Sequence, residues 1–443
     1  MAQREQARRL GLFMAMFMRI GLLLVLLALR IPVALTMFIV GFIGISILSG
    51  PTSALNLLAS ESFTLASHAE LIVIPLFILM GNVATTTGLS RQLYNAAYAT
   101  IGAIKGGLAS ATVIGCAGFA ALSGSSVAAA LTMGKVSLSE MKRFNYSPKL
   151  STGAVAAGGT LGILIPPSTG FVIYAILTEQ SIGRLFLAGV LPGLMLLGLF
   201  LLAISVLCAF RAEYGPRGPS TTLKEKVRAS VQATPILGII VVTIGGIYGG
   251  VFSPMEASAV GAGIVIVYGF LTRTLSVRSL WGATKDSIVT TSTVMLILIG
   301  AHIFNPFLAL SHIPEFVGHF LASMGLSAMG TLILILAIYL VLGCFLEGFA
   351  MLVLTLPIFF PVIMQLGIDP VWFGVLVVLT LEMGLISPPV GINVFIVKSV
   401  AREVPLGTIF VGVIPFWIMM IIAIAILLIF PSISLILPNT MIS

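Results

Sequence analysis

Two Pro-Pro pairs, each inside a long apolar run and set 222 residues apart, constrain this 443-residue chain more than any other feature in it. The first reads Gly162-Ile-Leu-Ile-Pro166-Pro167-Ser-Thr-Gly170, the second Gly384-Leu-Ile-Ser-Pro388-Pro389-Val-Gly-Ile392. The same offset relates Pro32 to Pro254. A proline inside a helix supplies no N–H and clashes with the carbonyl four residues back. That carbonyl belongs to a glycine in both halves, Gly162 and Gly384, so the backbone can bend there. Matched broken helices in two halves of an apolar chain point to the binding site of a secondary transporter. The carbonyl oxygens freed at Gly162, Ile163, Gly384 and Leu385 are hard donors suited to a small cation. A plain proline kink is the weaker reading for a feature that occurs twice.

Hydrophobic residues make up 59% of the chain and charged residues 8%, where a soluble domain carries about 25% charged residues. Mean hydropathy is +1.18, and apolar runs long enough to span a bilayer recur throughout. The chain therefore reads as an all-α polytopic membrane protein; the period-2 alternation of a barrel is absent. The net charge of +8 sits in loops between spans and does not indicate nucleic acid. Cys116, Cys208 and Cys344 lie in apolar runs without metal-ligand spacing and read as small buried hydrophobes. Arg4, Arg8 and Arg9 followed by Leu10 to Met18 faintly resemble a signal peptide, but no small-x-small cleavage site follows and Arg19 interrupts the apolar run.

Crossings are expected at 20–30, 33–49, 70–88, 150–178, 185–210, 231–250, 254–271, 288–305, 371–396 and 408–430. Two further apolar segments, 107–135 and 330–362, have Gly-containing centres and read as re-entrant hairpins, tolerable at membrane depth only when covered by protein or lining a cavity. Five crossings separate Pro32 from Pro254, an odd number, so the halves are inverted-topology repeats. The expected domains are a first repeat over 19–210 (hairpin 107–135, broken helix 150–178), a cytoplasmic linker over 211–230, and a second repeat over 231–435 (hairpin 330–362, broken helix 371–396). With this layout 17 of the 22 Lys and Arg residues, from Arg30 to Arg402, gather on one side, which is then cytoplasmic. Arg184 and the four N-terminal arginines fall on the other. Either segment 20–30 does not fully cross, or the first dozen residues are not part of the membrane design. Segments 91–104, 274–286 and 310–324 are short and amphipathic and read as arms along the interface.

Four constellations could carry chemistry. The Pro-Pro breaks are the first. Hairpin one is the second: Ser123, Gly124, Ser125 and Ser126 place hydroxyls and unpaired amides at a tip whose second limb starts near Ser125, a setting for an anionic group. Packing of small residues against a neighbouring helix is the alternative. Hairpin two is the third, with Glu347 and Gly348 at its tip; Gly124 and Gly348 are 224 residues apart, close to the repeat offset, so the two tips are matched on these glycines. An acid at membrane depth is functional by default, and Glu347 has three open roles: cation ligand, proton carrier, or cap of the following half-helix. The fourth is Glu382, two residues before Gly384, which either shapes an ion site, carries a proton, or is a structural acid paired elsewhere. Ser168, Thr169 and Asn393 follow the breaks and could hydrogen-bond a substrate. An intramembrane serine hydrolase would want Gly-x-Ser, but position 121 is Ala121, and His68, His302, His312 and His319 fall toward the outer face.

At these residues the chain resembles a family. Ser123-Gly-Ser-Ser-Val-Ala, Gly162-Ile-Leu-Ile-Pro-Pro-Ser, Phe345-Leu-Glu-Gly, Thr355-Leu-Pro-Ile-Phe-Phe-Pro361 and Gly384-Leu-Ile-Ser-Pro-Pro-Val-Gly-Ile-Asn393 are similar to the large membrane subunit of tripartite ATP-independent periplasmic transporters, from about Leu22 to Pro431. The resemblance implies an elevator-type fold and a sodium-driven importer of organic acids (C4-dicarboxylates, sialic acids or other sugar acids) in the bacterial inner membrane. It implies a separate small four-helix membrane subunit and a periplasmic binding protein that delivers substrate. No cofactor is implied beyond sodium as coupling ion. Carried over, the sodium sites involve Ser123, Gly124 and Ser125 with Gly162 to Pro166, and Glu347 and Gly348 with Gly384 to Pro388. The substrate would lie between the two tips, near Ser125, Ser126, Ser168, Thr169 and Asn393. A stand-alone anion transporter or exchanger of the same fold is the runner-up, and an intramembrane hydrolase a remote third.

Overall fold

The computed structural model describes residues 21–23, 25–27, 29 and 31–441. Within the expected crossing at 20–30, residues 21–23 and 25–27 are helical, while Arg4, Arg8, Arg9, Arg19 and Arg30 lie outside the described residues. The helices are α1 (Val33–Ser49), α2 (Pro51–Ser67), α3 (Val73–Thr86), α4 (Leu89–Ile101), α5 (Gly107–Ser123), α6 (Ser126–Arg143), α7 (Pro148–Leu164), α8 (Thr169–Thr178), α9 (Ile182–Phe210) and α10 (Leu223–Tyr248). They continue with α11 (Pro254–Leu271), α12 (Val277–Leu310), α13 (Ile313–Ser323), α14 (Ala328–Gly343), α15 (Gly348–Gln365), α16 (Pro370–Gly384), α17 (Ile392–Val400), α18 (Leu406–Ile429) and α19 (Ser432–Asn439). No strand occurs among the described residues.

The internal repeat is visible in these boundaries. The starts of α1, α5, α6, α7, α8 and α9 recur 221 to 224 residues later as the starts of α11, α14, α15, α16, α17 and α18. Proline opens α7 and α16 at Pro148 and Pro370, and lies inside α9 and α18 at Pro192 and Pro415. Helix starts are set by local chemistry. Asp369 accepts from the N–H groups of Val371 and Trp372 at 2.8 and 2.9 Å, and capping boxes at Thr222–Glu225 and Ser253–Glu256 start α10 and α11. In each box the acid accepts from the N–H and the hydroxyl of its cap residue at the helix start.

The helix pattern of the repeats differs between the first and second helices of the match. In the first half α2 and α3 are separate helices with a 3₁₀ turn at Ala69–Ile72 between them; at the equivalent place in the second half a single 34-residue helix, α12, runs unbroken. The segment 274–286 is therefore not a separate arm: from Val277 it is the first part of α12. Helix α2, which carries few buried residues, was not expected from the sequence at all.

The chain forms two compact units: Met1–Leu71 with Thr291–Ile335 and Phe349–Ile368, and Ile72–Thr290 with Leu336–Gly348 and Asp369–Ser443. In the first unit α1 lies against the later part of α12 through small residues. A Cβ on Gly41 would meet the backbone of Ile303 and one on Gly300 the carbonyl of Ala34. Such close approach through small residues is how helices associate where no hydrophobic drive separates them from lipid. Glu61 of α2 reaches His302 of α12 at 3.2 Å.

The second unit is built around α7. Every residue from Leu150 to Leu164 is buried, under α5, α6 and α18. Helices α7 and α18 cross at two glycines, where a Cβ on Gly153 would strike the carbonyl of Gly412 and a Cβ on Gly412 that of Lys149. Helix α16 is equally enclosed from Val371 to Gly384. By contrast Val231, Leu237 and Val241 of α10 and Ile414 and Ile418 of α18 are exposed, and together with eight helices among the described residues that are long and apolar enough to cross a membrane this describes a surface made for lipid. The segment after α9 does not hang free: Gly106 N–H donates to Gly215, Ser147 N–H to Tyr214 and Gly218 N–H to Gly102, at 2.8, 3.1 and 3.0 Å.

The glycine crossing yields a test. Gly153→Val should lower stability by about 1–3 kcal/mol through overpacking against the Gly412 carbonyl, whereas Gly263→Ala, at an open position, should change little. Thermal unfolding of the detergent-purified variants reads both.

Candidate functional site

The chemistry-bearing residues of the second unit converge on the two interruptions of α7–α8 and α16–α17. At the first, α5 ends in Gly124, whose left-handed backbone (φ +58°) turns the chain into the extended Ser125 that caps α6. A Cβ on Gly124 would lie 2.6 Å from the carbonyl oxygen of Pro167, so only glycine permits this approach. Thr169 then closes the seam, donating from its N–H and its hydroxyl to the Gly124 carbonyl at 3.4 and 2.8 Å. On the other side of the tip a Cβ on Gly162 would meet Ser125 oxygen at 2.6 Å. Hairpin one and the first break are thus joined backbone to backbone.

Several polar side chains singled out from the sequence are engaged in holding this seam. Ser125 accepts from Ala128 N–H at 3.3 Å and Ser168 from Phe171 N–H at 3.2 Å, each capping its helix. Ser126, 1% exposed, donates at 2.6 Å to Oε2 of Glu382, so the second limb of hairpin one is tied to the broken helix of the other repeat. Ser123 differs: its hydroxyl is buried without a hydrogen-bond partner, where α3 closes on the tip and a Cβ on Gly81 would lie 2.6 Å from Ser123 Cα.

The two breaks are not equivalent. Pro166 and Pro167 have no N–H to offer Gly162 and Ile163, and both prolines are buried. At the second break the corresponding carbonyls find other donors: Ser387 N–H reaches Gly384 at 3.0 Å and Asn393 N–H reaches Leu385 at 3.0 Å. The expectation that Gly384 and Leu385 present unclaimed carbonyls is corrected accordingly; each keeps one lone pair. Pro388 and Pro389 are exposed. Both prolyl bonds within the pairs are cis.

Hairpin two turns between α14 and α15. Its second limb starts at Gly348, which corresponds to Ser126, so Glu347 stands where Ser125 stands in hairpin one. The match of Gly124 with Gly348 is therefore shifted by two residues. Glu347 is exposed, and Gly348 is buried with its Cα facing Leu381. A Cβ on Gly384 would meet the backbone of Gly343 at 2.7 Å, the same glycine-to-hairpin approach as Gly162 makes in the first half.

Near the breaks, two buried groups besides Ser123 are incompletely satisfied. Glu382 is 0% exposed, and its Oε1 has no partner. Asn393 is likewise 0% exposed, with neither its amide oxygen nor its amide nitrogen bonded. Buried polar atoms without partners are rare in native structures. Trp417, which the sequence reading passed over, donates from its indole nitrogen to Ser387 Oγ at 2.8 Å and anchors the second break to α18. Tyr174 of α8 donates to the Pro370 carbonyl at 2.6 Å, so the two broken helices cross each other. Its signal in the sequence was a polar aromatic in an otherwise apolar run.

The carboxylate at the centre gives a test. Removing its only donor with Ser126→Ala should cost about 1–3 kcal/mol. The double variant Ser126→Ala with Glu382→Met should recover most of that loss, because it removes the buried carboxyl as well. A double-mutant cycle on thermal unfolding separates the two.

Comparison with known proteins places this arrangement. Residues 20–433 match the family described as tripartite ATP-independent periplasmic transporter, DctM component. The chain is 39% identical over 383 residues to the C4-dicarboxylate TRAP transporter large permease protein DctM of Pseudomonas aeruginosa, covering 86% of this chain and 89% of that one. It is 31% identical over 393 residues to the sialic acid TRAP transporter large permease protein SiaM of Vibrio cholerae, covering 88% and 90%. Among solved structures, the YdaH transporter of Alcanivorax borkumensis superposes with a TM-score of 0.63 over 86% of this chain and 89% of that chain, at 15% identity.

Proposed function

Because the chain belongs to the DctM component family of the tripartite ATP-independent periplasmic transporters, a multi-pass permease of the bacterial inner membrane, we propose that it imports an organic acid anion in symport with sodium. The observation that carries the sodium reading is the first break. There the carbonyls of Gly162 and Ile163 face no proline N–H, and the buried Ser123 hydroxyl, one residue from the Gly124 turn, has no partner. Hard oxygen donors in a water-poor setting suit a small monovalent cation and offer nothing to a soft metal. The second ion position is drawn from Glu347, Gly348, Gly384 and Pro388, with the unbonded amide of Asn393 as a further donor.

The substrate class follows the relatives by analogy: C4-dicarboxylate or sialic acid transport is what their names state. Ser125 and Ser168, whose hydroxyls accept a helix N–H and keep a hydrogen to donate, and the exposed edge of the second break are the groups left to receive a carboxylate, since Ser126 and Thr169 already donate theirs within the fold. A small four-helix membrane subunit and a periplasmic binding protein complete the system, and the two hairpins and broken helices move as the carrier part of an elevator. A second reading, in which Glu382 carries a proton, rests on its unpartnered Oε1.

Sodium should raise the melting temperature of the purified protein relative to potassium or choline at equal ionic strength, by the mass-action term of a ligand that binds the folded state alone. Ser123→Ala should reduce that difference by half or more. Equal melting temperatures in the three salts would overturn the sodium reading. Retention of sodium stabilisation in Glu382→Gln, with uptake into proteoliposomes losing its dependence on external pH, would establish the proton route beside it. Uptake without the binding protein and small subunit would favour a stand-alone carrier.

A further inference from the structure

Away from both breaks, α4 and α6 flank a cavity of about 360 Å³ lined by Arg91, Tyr94, Asn95, Tyr98, Lys135, Ser139 and Glu140. We propose that this cavity is an oxyanion site on the cytoplasmic side, taking the phosphate or carboxylate of a small anion or of an anionic phospholipid headgroup.

Each wall contributes one cation, Arg91 from α4 and Lys135 from α6, and neither is paired with an acid among the described residues. Tyr94 is 3% exposed, and its hydroxyl is buried with no hydrogen-bond partner. An orphan donor in the lining, beside two unpaired cations, is the combination that an oxygen anion satisfies with charge-assisted hydrogen bonds. Tyr98 stacks on Tyr94 with ring centroids 6.2 Å apart, and Leu93, Tyr94 and Ala97 are buried, so α4 holds the phenol in place. Glu140 also lines the cavity and lies 3.9 Å from Arg143, which partly offsets its repulsion of an incoming anion. Asn95 and Ser139 supply neutral donors in the same lining. The volume is at the small end of ligand pockets, about 300–1,000 Å³, and suits a phosphate or dicarboxylate better than a large organic molecule. Arg91 and Lys135 lie on the side that collects most of the chain's cations, so the site faces the cytoplasmic leaflet and the cytosol. None of these residues belongs to the two breaks or the hairpin tips.

The test uses the purified full chain after exhaustive delipidation, at low ionic strength, because exposed charges are screened beyond about 10 Å at 0.1 M salt. Native mass spectrometry compares retention of phosphatidylglycerol with that of phosphatidylcholine, and thermal unfolding compares inorganic phosphate and succinate with chloride. Selective retention of phosphatidylglycerol identifies a headgroup, and stabilisation by phosphate or succinate identifies a free anion. In either case Arg91→Gln and Lys135→Gln should each weaken binding about fivefold; both residues are exposed, so these variants keep the fold. Tyr94→Phe should weaken it with both cations intact, and Glu140→Gln should tighten it. Equal retention of the two lipids together with no anion effect overturns the proposal. Binding that is indifferent to Arg91 and Lys135, or that weakens in Glu140→Gln, overturns it as well.

Discussion

A peptide group at membrane depth must find its hydrogen bond within the protein, since hydrocarbon offers none. Breaking two spanning helices with proline pairs therefore creates a problem that the surrounding structure has to solve locally. At the first break the solution is hairpin one. Its tip comes close enough, through Gly124 and Gly162, for Thr169 to close on the Gly124 carbonyl with both donors. The enclosure of α7, the run of small residues along it and its glycine crossing with α18 all serve to bring that tip and that break together. Burial of the seam is what leaves the Ser123 hydroxyl without a partner.

The second break carries the same sequence signature but is stabilised differently. There the chain folds back on itself, and Ser387 and Asn393 return N–H groups to Gly384 and Leu385, while Trp417 braces the turn from α18. One half thus depends on a neighbouring hairpin for satisfaction of its backbone, the other largely on its own following residues. Two copies of one motif have settled into unlike hydrogen-bond patterns, and the buried Ser126–Glu382 contact joins them.

Much of this was legible in the sequence because proline and glycine act locally. The Pro-Pro pairs mark the interruptions between α7 and α8 and between α16 and α17, and the glycine-centred runs mark the turns at 124–125 and 344–347. What escaped were matters of partnership. Ser126, Ser168 and Thr169 looked like free hydroxyls near a break; the fold engages each with a carboxylate, a helix N–H or a carbonyl, and no single-sequence pattern distinguishes a hydroxyl that caps from one that binds. Helix α2 escaped for the opposite reason. With little of it buried, it lacks the apolar period that flags a span. The unbroken α12 was divided on paper because its polar start, around Lys285 and Asp286, reads like an arm. The Gly124–Gly348 match was two residues off because the tips were aligned on glycine rather than on the start of the second limb.

The short backbone bonds between Tyr214, Gly215 and Gly218 and the residues around hairpin one bear on where such a chain can be cut. The stretch joining the halves behaves as a strap sewn onto the first half, with Thr221 also donating to the Ala99 carbonyl. A fragment that ends before Tyr214 would lose the groups that hold Gly102, Gly106 and Ser147, so a self-sufficient first half has to extend past Thr221.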